Sequence, residues 1–275
     1  MIAALIIVFR EVFEAGLIVG IVMAATQGVP HNGRWVSGGV AAGVVGSCIV
    51  AMFAGALSQA FEGIGQELFN AAILLVAVVM LTWHNVWMSR HGKELAEKFK
   101  AVGQEVAEGS RSLLALAIVV CVAVLREGFE VVMFLYGVLA SEGIGQVAIG
   151  GACGLALGAL VCFATYRGLL NIPQRYLFGV TGVMIAFLAA GMAAQAVLFL
   201  EQANIVTVLG GTVWDTSWLL SQDGVVGRVL HTLIGYSDQP SGAQLVAYLI
   251  VLAVMFTLMK MLAPPSRRQS VAPAQ

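Results

Sequence analysis

Long apolar stretches separated by short polar ones make up most of the chain. A helix needs about 20 mostly apolar residues to cross the hydrocarbon core of a bilayer, and seven stretches reach that length. The pattern therefore predicts an all-α integral membrane protein with seven transmembrane helices. The predicted segments are residues 2–25, 35–58, 67–88, 112–140, 146–168, 175–199 and 242–262.

The amino-acid composition agrees with a membrane protein and argues against several classes of function. Of the 275 residues, 60% are hydrophobic and only 11% are charged, whereas about 25% of the residues of a soluble domain are charged. The formal net charge of −1 gives no basic surface for nucleic acid, so we expect no nucleic-acid partner. The four cysteines all fall within apolar segments without Cys-x-x-Cys spacing, so they predict neither a zinc site nor a disulfide framework.

Basic residues outside the segments predict the orientation, because cytoplasmic loops are enriched in lysine and arginine. One side of the membrane holds only Arg228. The other side holds Arg34, Arg90, Lys93, Lys98, Lys100, Arg111, Arg167, Arg175, Lys260, Arg267 and Arg268. We therefore expect the N-terminus to face outward and the C-terminus to face the cytoplasm.

An internal repeat relates the two halves of the chain. Segments one and four carry the same motif, as Arg10-Glu11-x-x-Glu14 and Arg126-Glu127-x-x-Glu130. A glycine-rich segment follows each motif. The second copy begins three segments after the first, so it runs through the membrane in the opposite direction. This predicts an inverted repeat of two three-helix units plus one extra C-terminal helix. Transporters are often built this way, with the substrate site near mid-membrane between the copies.

The predicted organisation is a single transmembrane domain over residues 1–262. Repeat one covers about 1–88 and repeat two about 112–199. The charged stretch 89–111 between them is interpreted as a short cytoplasmic helix. An external loop at about 200–241 precedes the seventh helix at about 242–262, and residues 263–275 form a cytoplasmic tail.

The two carboxylates of each motif share one face of their helix. Positions three residues apart lie about 60° apart around the axis and about one turn along it. Each arginine precedes the far carboxylate by four residues, so it can pair with that group. The near carboxylates, Glu11 and Glu127, are then freer to act.

The position of the motifs favours a metal-binding function. Each lies near the middle of its segment, where an ionisable residue costs from about 3 to more than about 10 kcal/mol unless it is paired or hydrated. Together, four carboxylates and two guanidiniums carry a formal charge of −2, which a cation, protons or other partners must offset. The predicted metal ligands are Glu11, Glu14, Glu127 and Glu130, supported by Arg10 and Arg126. The alternative is a buried ion-pair network that only holds segments one and four together.

The ligand types bear on the identity of the ion. Carboxylate oxygens suit hard cations, and the motifs contain no Cys, Met or His that would favour a softer one. Ferric iron fits best on hardness. Ferrous iron, manganese, magnesium and protons stay open.

Other polar residues are weaker candidates. Glu67 begins segment three, where it could be a ligand at the entrance or a carboxylate favoured by the helix N-terminus. His84 lies between Trp83 and Trp87, so the sequence favours an interfacial residue over a ligand. Three further side chains could line a polar path: Asn70, Thr82 and Gln195.

The paired motifs resemble those of the oxidase-dependent iron permeases, a family of fungal high-affinity iron permeases and bacterial EfeU-type ferrous iron permeases. The resemblance runs along nearly the whole chain. It includes Gln66-Glu67-Leu68-Phe69, Leu81-Thr82-Trp83, Ala189-Ala190-Gly191, Trp214-Asp215, Ser217-Trp218-Leu219-Leu220, Gly235-Tyr236 and Pro240-Ser241-Gly242.

This resemblance implies high-affinity iron import across the plasma membrane, a bacterial inner membrane. Iron, ferric or ferrous, is then the transported substrate, handed over by an external oxidase or a periplasmic iron-binding partner, and neither enzymatic activity nor a cofactor is expected. The six motif residues would form the translocation site, with Glu67 as an accessory residue. Asn70 and His84 stand where relatives often have Glu and Met, and Val12-Phe13 where they commonly have Gly-Leu, so the outer vestibule, the helix packing and the metal preference can differ.

Two other functions are compatible with the pattern. A permease of the same architecture could carry another divalent metal, such as lead or manganese. An intramembrane carboxylate di-iron oxidase would normally use Glu-x-x-His pairs, and neither motif contains a histidine.

Overall fold

A computed structural model of the chain describes residues 1–60, 66–140, 142–168, 174–222 and 224–262. Within these ranges the chain forms helices and no β-strand, which confirms the all-α prediction. The helices are α1 (Ile2–Ala25), α2 (Asn32–Ala60), α3 (Gln66–Ala107), α4 (Leu113–Leu139), α5 (Ile144–Tyr166), α6 (Gln174–Gln202), α7 (Val225–Ile234) and α8 (Gly242–Leu262). The predicted tail, residues 263–275, lies outside the described residues.

Five of these helices are long and apolar enough to cross a membrane. They are Asn32–Gly55 in α2, Glu67–Met88 in α3, Ile144–Tyr166 in α5, Gly179–Gln202 in α6 and Gly242–Met261 in α8. Their outward faces carry large apolar side chains such as Met52, Phe53 and Leu160, whereas charged side chains are buried inside. That distribution is the reverse of a soluble protein and is what a bilayer requires. The chain is therefore a multi-pass membrane protein.

Helix α3 is longer than predicted. The sequence predicts a span ending at residue 88 and a separate short helix in the stretch 89–111, but α3 runs without interruption to Ala107. No proline interrupts residues 67–107, and Lys98 pairs with Glu94 one turn away at 2.9 Å. After Ala107 the chain turns at Gly109, whose positive φ of 78° allows the Ser110 amide to donate to the Glu105 carbonyl. At about 1.5 Å per residue, the 42 residues of α3 extend well beyond one bilayer thickness.

Helices α1 and α4 form the centre of the bundle. They pack against each other, α5 packs against α1, and α2 packs against α4. Helix α3 contacts both central helices and also α6, which in turn packs against α8. The largest fully buried apolar side chains include Ile7, Leu74, Leu81, Phe134 and Ile185, so the core lies where α1, α3, α4 and α6 meet.

Glycines set how closely the outer helices approach the central pair. A Cβ atom on Gly39 or Gly43 of α2 would lie 2.5 or 2.9 Å from a backbone oxygen of α4. A Cβ atom on Gly154 of α5 would lie 2.5 Å from the Leu5 oxygen of α1. Real Cβ atoms do not approach that closely, so only glycine permits these two helix contacts.

The segment between α6 and α8 is folded rather than extended. It contains α7, which the sequence did not predict and which ends at Gly235 with a positive φ of 69°. The Tyr236 hydroxyl donates to the Leu220 carbonyl at 2.9 Å and lies 2.6 Å from the Thr216 hydroxyl. At the start of α8, the Ser241 hydroxyl donates to Glu201 of α6 at 2.6 Å. These bonds hold the loop against the ends of α6 and α8.

Adjacent glycines in α2 provide a matched test of this packing. Gly39→Ala would force its new methyl group into the Ala117 carbonyl of α4, whereas a Cβ on Gly38 has no atom within 4 Å. We expect Gly39→Ala to destabilise the purified protein by about 1–3 kcal/mol. Gly38→Ala should be neutral or stabilising, because alanine is the better helix former. Thermal unfolding in detergent measures both, and equal midpoints for the two variants would contradict the packing.

Candidate metal site

The α1 motif is almost fully buried. The Arg10 Nε atom donates to Glu14 Oε1 at 2.8 Å, one turn along the helix, as the spacing predicts. A terminal nitrogen of the same guanidinium lies 3.8 Å from Glu11 Oε1. All three residues are at most 3% exposed, so the bundle shields their side chains from both water and lipid.

The α4 motif repeats the pairing but is more open. The Arg126 Nε atom lies 3.2 Å from Glu130 Oε1. Its guanidinium stacks over the Trp87 ring of α3, 4.5 Å from the ring centre, which adds a cation–π contact. The Arg126 side chain is 35% exposed, against 3% for Arg10. The two copies are therefore similar in pairing and different in enclosure.

The crossing of α1 and α4 brings the two motifs together, and α3 adds a histidine. Glu11, His84, Glu127 and Glu130 each offer one ligand atom, and these four atoms lie within 4.8 Å of one another. All four residues are buried. Glu14 lies beside this group, since its Oε2 is 3.5 Å from His84 Nε2. We call these five residues the ion cluster.

His84 is the main departure from the sequence prediction. The sequence favours an interfacial residue because Trp83 and Trp87 flank it, but His84 is only 4% exposed and contacts carboxylates of both motifs. Trp83, by contrast, is 73% exposed. The interfacial interpretation is wrong because neighbouring positions on a helix point in different directions: Trp83 faces outward while His84 faces the centre of the bundle.

The helical register of α3 could have revealed that His84 is buried. Leu74, Ala77, Val78 and Leu81 are all buried, and their spacing of three and four residues defines one face of the helix. His84 comes three residues after Leu81 and continues that face. The same reasoning shows that a further polar partner of the motifs could be sought on a third helix.

Several carboxylate oxygens in the ion cluster lack a hydrogen-bond donor. Within the described residues, both oxygens of Glu11 and Oε2 of Glu127 are buried without a donor at hydrogen-bond distance, and Glu11 has only the longer contacts of 3.8 Å to Arg10 and His84. Leaving buried polar atoms without partners is costly. A cation bound between them would satisfy these oxygens, because carboxylates are the preferred ligands of hard and borderline divalent ions.

The other sequence candidates lie outside the ion cluster. Glu67 is in the first turn of α3 and exposed, so its accessory role stays a prediction, and the helix N-terminus accounts for a carboxylate there. Thr82 donates to the Val78 carbonyl of its own helix. Asn70 is half-buried. Gln195 lines a cavity together with Glu142 and other residues on the side predicted to be external.

Two cavities lie on opposite sides of the ion cluster. Ala3, Val138 and Gln195 line one of them, at the predicted outer end of the bundle. The other lies between α1 and the extension of α3, where Glu14 and Phe99 are among the lining residues. The second cavity reaches the ion cluster directly at Glu14, whereas the first one does not.

Comparison with known proteins shows which family the chain belongs to. The sequence profile described as "Iron permease FTR1 family" matches residues 1–265. The protein named ferrous iron permease EfeU of Yersinia pestis is 31% identical over 253 residues, which cover 90% of this chain and 89% of the relative. The protein of the same name in Escherichia coli O6:H1 is 30% identical over 261 residues, which cover 92% and 94%. No solved structure matches the chain.

The unequal enclosure of the two arginines gives a stability test. Arg10→Gln leaves Glu11 and Glu14 buried beside a neutral side chain, and removing one partner of a buried ion pair typically costs about 3–5 kcal/mol. Arg126→Gln should cost clearly less, because Arg126 is partly exposed. Thermal unfolding of the purified variants measures the difference. A larger loss for Arg126→Gln than for Arg10→Gln would contradict the described geometry.

Proposed function

Since the chain belongs to the iron permease FTR1 family, we propose that iron crosses the membrane at the ion cluster, through the paired Arg-Glu-x-x-Glu motifs. Membership in this family makes the chain an iron permease rather than an enzyme, with iron as its transported substrate. The observation that carries the proposal is the meeting of Glu11, Glu127 and Glu130 from both motifs within 4.8 Å, in the buried centre of the bundle.

We propose that α1 and α4 also span the membrane, giving seven spans. They have 24 and 27 residues and are surrounded by the five more apolar helices. Each contains the three charged residues of its motif. These charges make α1 and α4 more polar than the five helices that qualify as spans by length and apolar composition. Ionisable residues within spans typically face the bundle interior and mark ion pathways.

Helix packing supports an inverted repeat. Aligning Arg10 with Arg126 pairs Leu5 of α1 with Cys121 of α4. Gly154 of α5 approaches the Leu5 oxygen, and Gly43 of α2 approaches the Cys121 oxygen. The second helix of each repeat therefore packs on equivalent positions of the other repeat's first helix. Rocking of one repeat against the other is a transport mechanism that such an arrangement allows.

Apolar side chains separate the ion cluster from the outer cavity. Along α1, Ala3 lines the outer cavity, Ile7 follows one turn later, and Glu11 one turn after that. Along α4, Val138 lines the cavity, and Phe134 lies one turn from it towards Glu130. Ile7 and Phe134 are both 0% exposed. We propose that they form an outer gate, which is closed in this conformation while the cavity at Glu14 leads inward.

The proposal also covers the direction of iron transport, its affinity and the partner proteins. We propose high-affinity import across the bacterial inner membrane, with the N-terminus outside and the C-terminus in the cytoplasm. The charged extension of α3 supports this orientation, because it carries Lys98 and Lys100 on the side opposite to the outer cavity. An external oxidase or a periplasmic iron-binding protein would hand over the iron, as the family resemblance implies. The relatives above are named ferrous iron permeases, which favours Fe²⁺ as the ion.

Two alternatives are distinguished by transport measurements. A permease for another divalent metal would use the same cluster and differ only in selectivity. A di-iron oxidase would need a second histidine by analogy with four-helix di-iron proteins, and within the described residues the cluster contains only His84. Family membership favours transport over oxidation.

The proposal predicts that iron uptake depends on the near carboxylates. Glu11→Gln and Glu127→Gln keep the side-chain shape and remove a charged ligand, so uptake of iron into reconstituted vesicles should fall at least about tenfold. Glu94→Gln is the matched control, since Glu94 lies in the exposed extension of α3 and pairs only with Lys98 among the described residues. Its uptake should equal that of the unaltered protein.

Folding must be separated from transport in this experiment. Each variant is first compared with the unaltered protein by yield of monodisperse protein and by melting temperature. Normal iron uptake by both Glu11→Gln and Glu127→Gln would contradict a translocation route through the cluster.

The proposed orientation is tested by chemical labelling. Ser110→Cys lies after α3 and Gly210→Cys lies between α6 and α7, both at exposed positions. In a background without the four native cysteines, a membrane-impermeant maleimide added to intact cells should label Gly210→Cys and not Ser110→Cys. The reverse labelling pattern would contradict the orientation.

A further inference from the structure

We infer that His84 is a ligand of the transported ion and makes the ion cluster selective for borderline divalent cations such as Fe²⁺ over harder ions. This inference rests on the proposed function and assigns a chemical preference to the same site. A cluster built only from the motif carboxylates would present oxygen ligands alone. His84 adds one nitrogen ligand from a third helix.

The contacts of His84 place it between the two motifs. Its Nε2 atom lies 3.8 Å from Glu11 Oε2 and 3.5 Å from Glu14 Oε2, both on α1. Its Nδ1 atom contacts Glu130 Oε2 on α4. The ring packs edge-on against Phe134, with 6.4 Å between the ring centres. His84 is therefore the residue through which α3 reaches both halves of the site.

The two ring nitrogens have different surroundings, which is typical of metal-bound histidine. A ligating histidine usually turns one nitrogen to the metal and the other to a carboxylate that orients the ring. Here Glu130 occupies the Nδ1 side. The Nε2 atom is buried and faces the carboxylates of Glu14 and Glu11 at 3.5 and 3.8 Å, distances longer than an ordinary hydrogen bond. We therefore assign ligation to Nε2 and ring orientation to Glu130.

The distances fit an ion between these atoms. Nitrogen and oxygen ligands bind first-row divalent ions at about 2.0–2.2 Å, so two adjacent ligands around one ion lie about 3.0–3.5 Å apart in octahedral or tetrahedral geometry. The separations of 3.5 and 3.8 Å from Nε2 to Glu14 and Glu11 require only a small contraction. A histidine held only by its ion pairs would instead place Nε2 within ordinary hydrogen-bond distance of one of these carboxylates.

Ligand chemistry gives the expected selectivity. Imidazole nitrogen suits Fe, Zn, Cu and Ni, whereas carboxylate and water suit Mg, Ca and Mn. Divalent affinities also rise from Mn²⁺ to Fe²⁺ in the general order. A nitrogen ligand should therefore increase the preference for Fe²⁺ over Mn²⁺, and its loss should reduce that preference.

Pulsed electron paramagnetic resonance with Mn²⁺ as the probe tests the ligation directly. With the full chain in lipid nanodiscs, bound Mn²⁺ should show ¹⁴N modulation from a coordinated imidazole. The modulation should disappear in His84→Gln and persist in His91→Gln. His91 is the matched control because it lies on the same helix, and its Nδ1 is 3.2 Å from the Trp87 carbonyl oxygen rather than in the ion cluster.

Transport selectivity gives a second measurement. In reconstituted vesicles, the ratio of Fe²⁺ to Mn²⁺ uptake should fall severalfold in His84→Gln, because the variant lacks the imidazole ligand that favours Fe²⁺. The ratio should be unchanged in His91→Gln. An unchanged ratio in His84→Gln would overturn the selectivity assigned to this residue.

The outcomes separate this inference from the proposed function. Unaltered protein without ¹⁴N modulation, whether Mn²⁺ binds through oxygen only or not at all, would overturn ligation by His84, as would modulation that persists in His84→Gln. The route through the motifs fails on a different result, which is iron uptake that survives both Glu11→Gln and Glu127→Gln.

Discussion

Burial of charge within a bundle that lipid surrounds is the constraint on which this structure depends. Arg10, Glu11 and Glu14 are almost fully enclosed, and none of them can be solvated by hydrocarbon. Each arginine neutralises mainly one carboxylate of its own helix, so the remaining carboxylates need partners from elsewhere. The crossing of α1, α3 and α4 supplies His84 as one such partner and leaves negative charge available for a cation. In the proposed function, this unbalanced negative charge binds the transported iron.

Close helix contacts are a consequence of this constraint. The charged helices must be shielded from lipid, and α2 and α5 shield them by packing on α4 and α1. Glycines such as Gly39 and Gly154 let these backbones approach closely, which is how membrane helices associate when hydrophobic burial alone gives little driving force. Ile7 and Phe134 are fully buried between the ion cluster and the cavity lined by Ala3 and Val138, and we proposed that they form an outer gate. An outer gate of this kind would have to open by relative movement of α1 and α4.

Much of the fold could be predicted from the sequence, because apolar length determines helices strongly in a membrane protein. The spacing of each arginine from its far glutamate also gave the correct ion pairs. Long-range partners were harder to predict. His84 was missed because the aromatic residues next to it dominate the local pattern, although its register with Leu81 places it on the buried face. The continuity of α3 was missed because charged residues after position 88 resemble a loop or separate helix when hydropathy is the only guide.

The position of bound iron itself tests the proposed translocation site most directly. Crystals of the protein loaded anaerobically with Fe²⁺ would give anomalous scattering at the iron absorption edge, which locates the ion independently of the protein atoms. We expect a peak between Glu11, Glu127 and His84, within ligating distance of side chains from α1, α3 and α4. A sole peak remote from these residues, with the cluster closed by its own ion pairs, would contradict the proposed site.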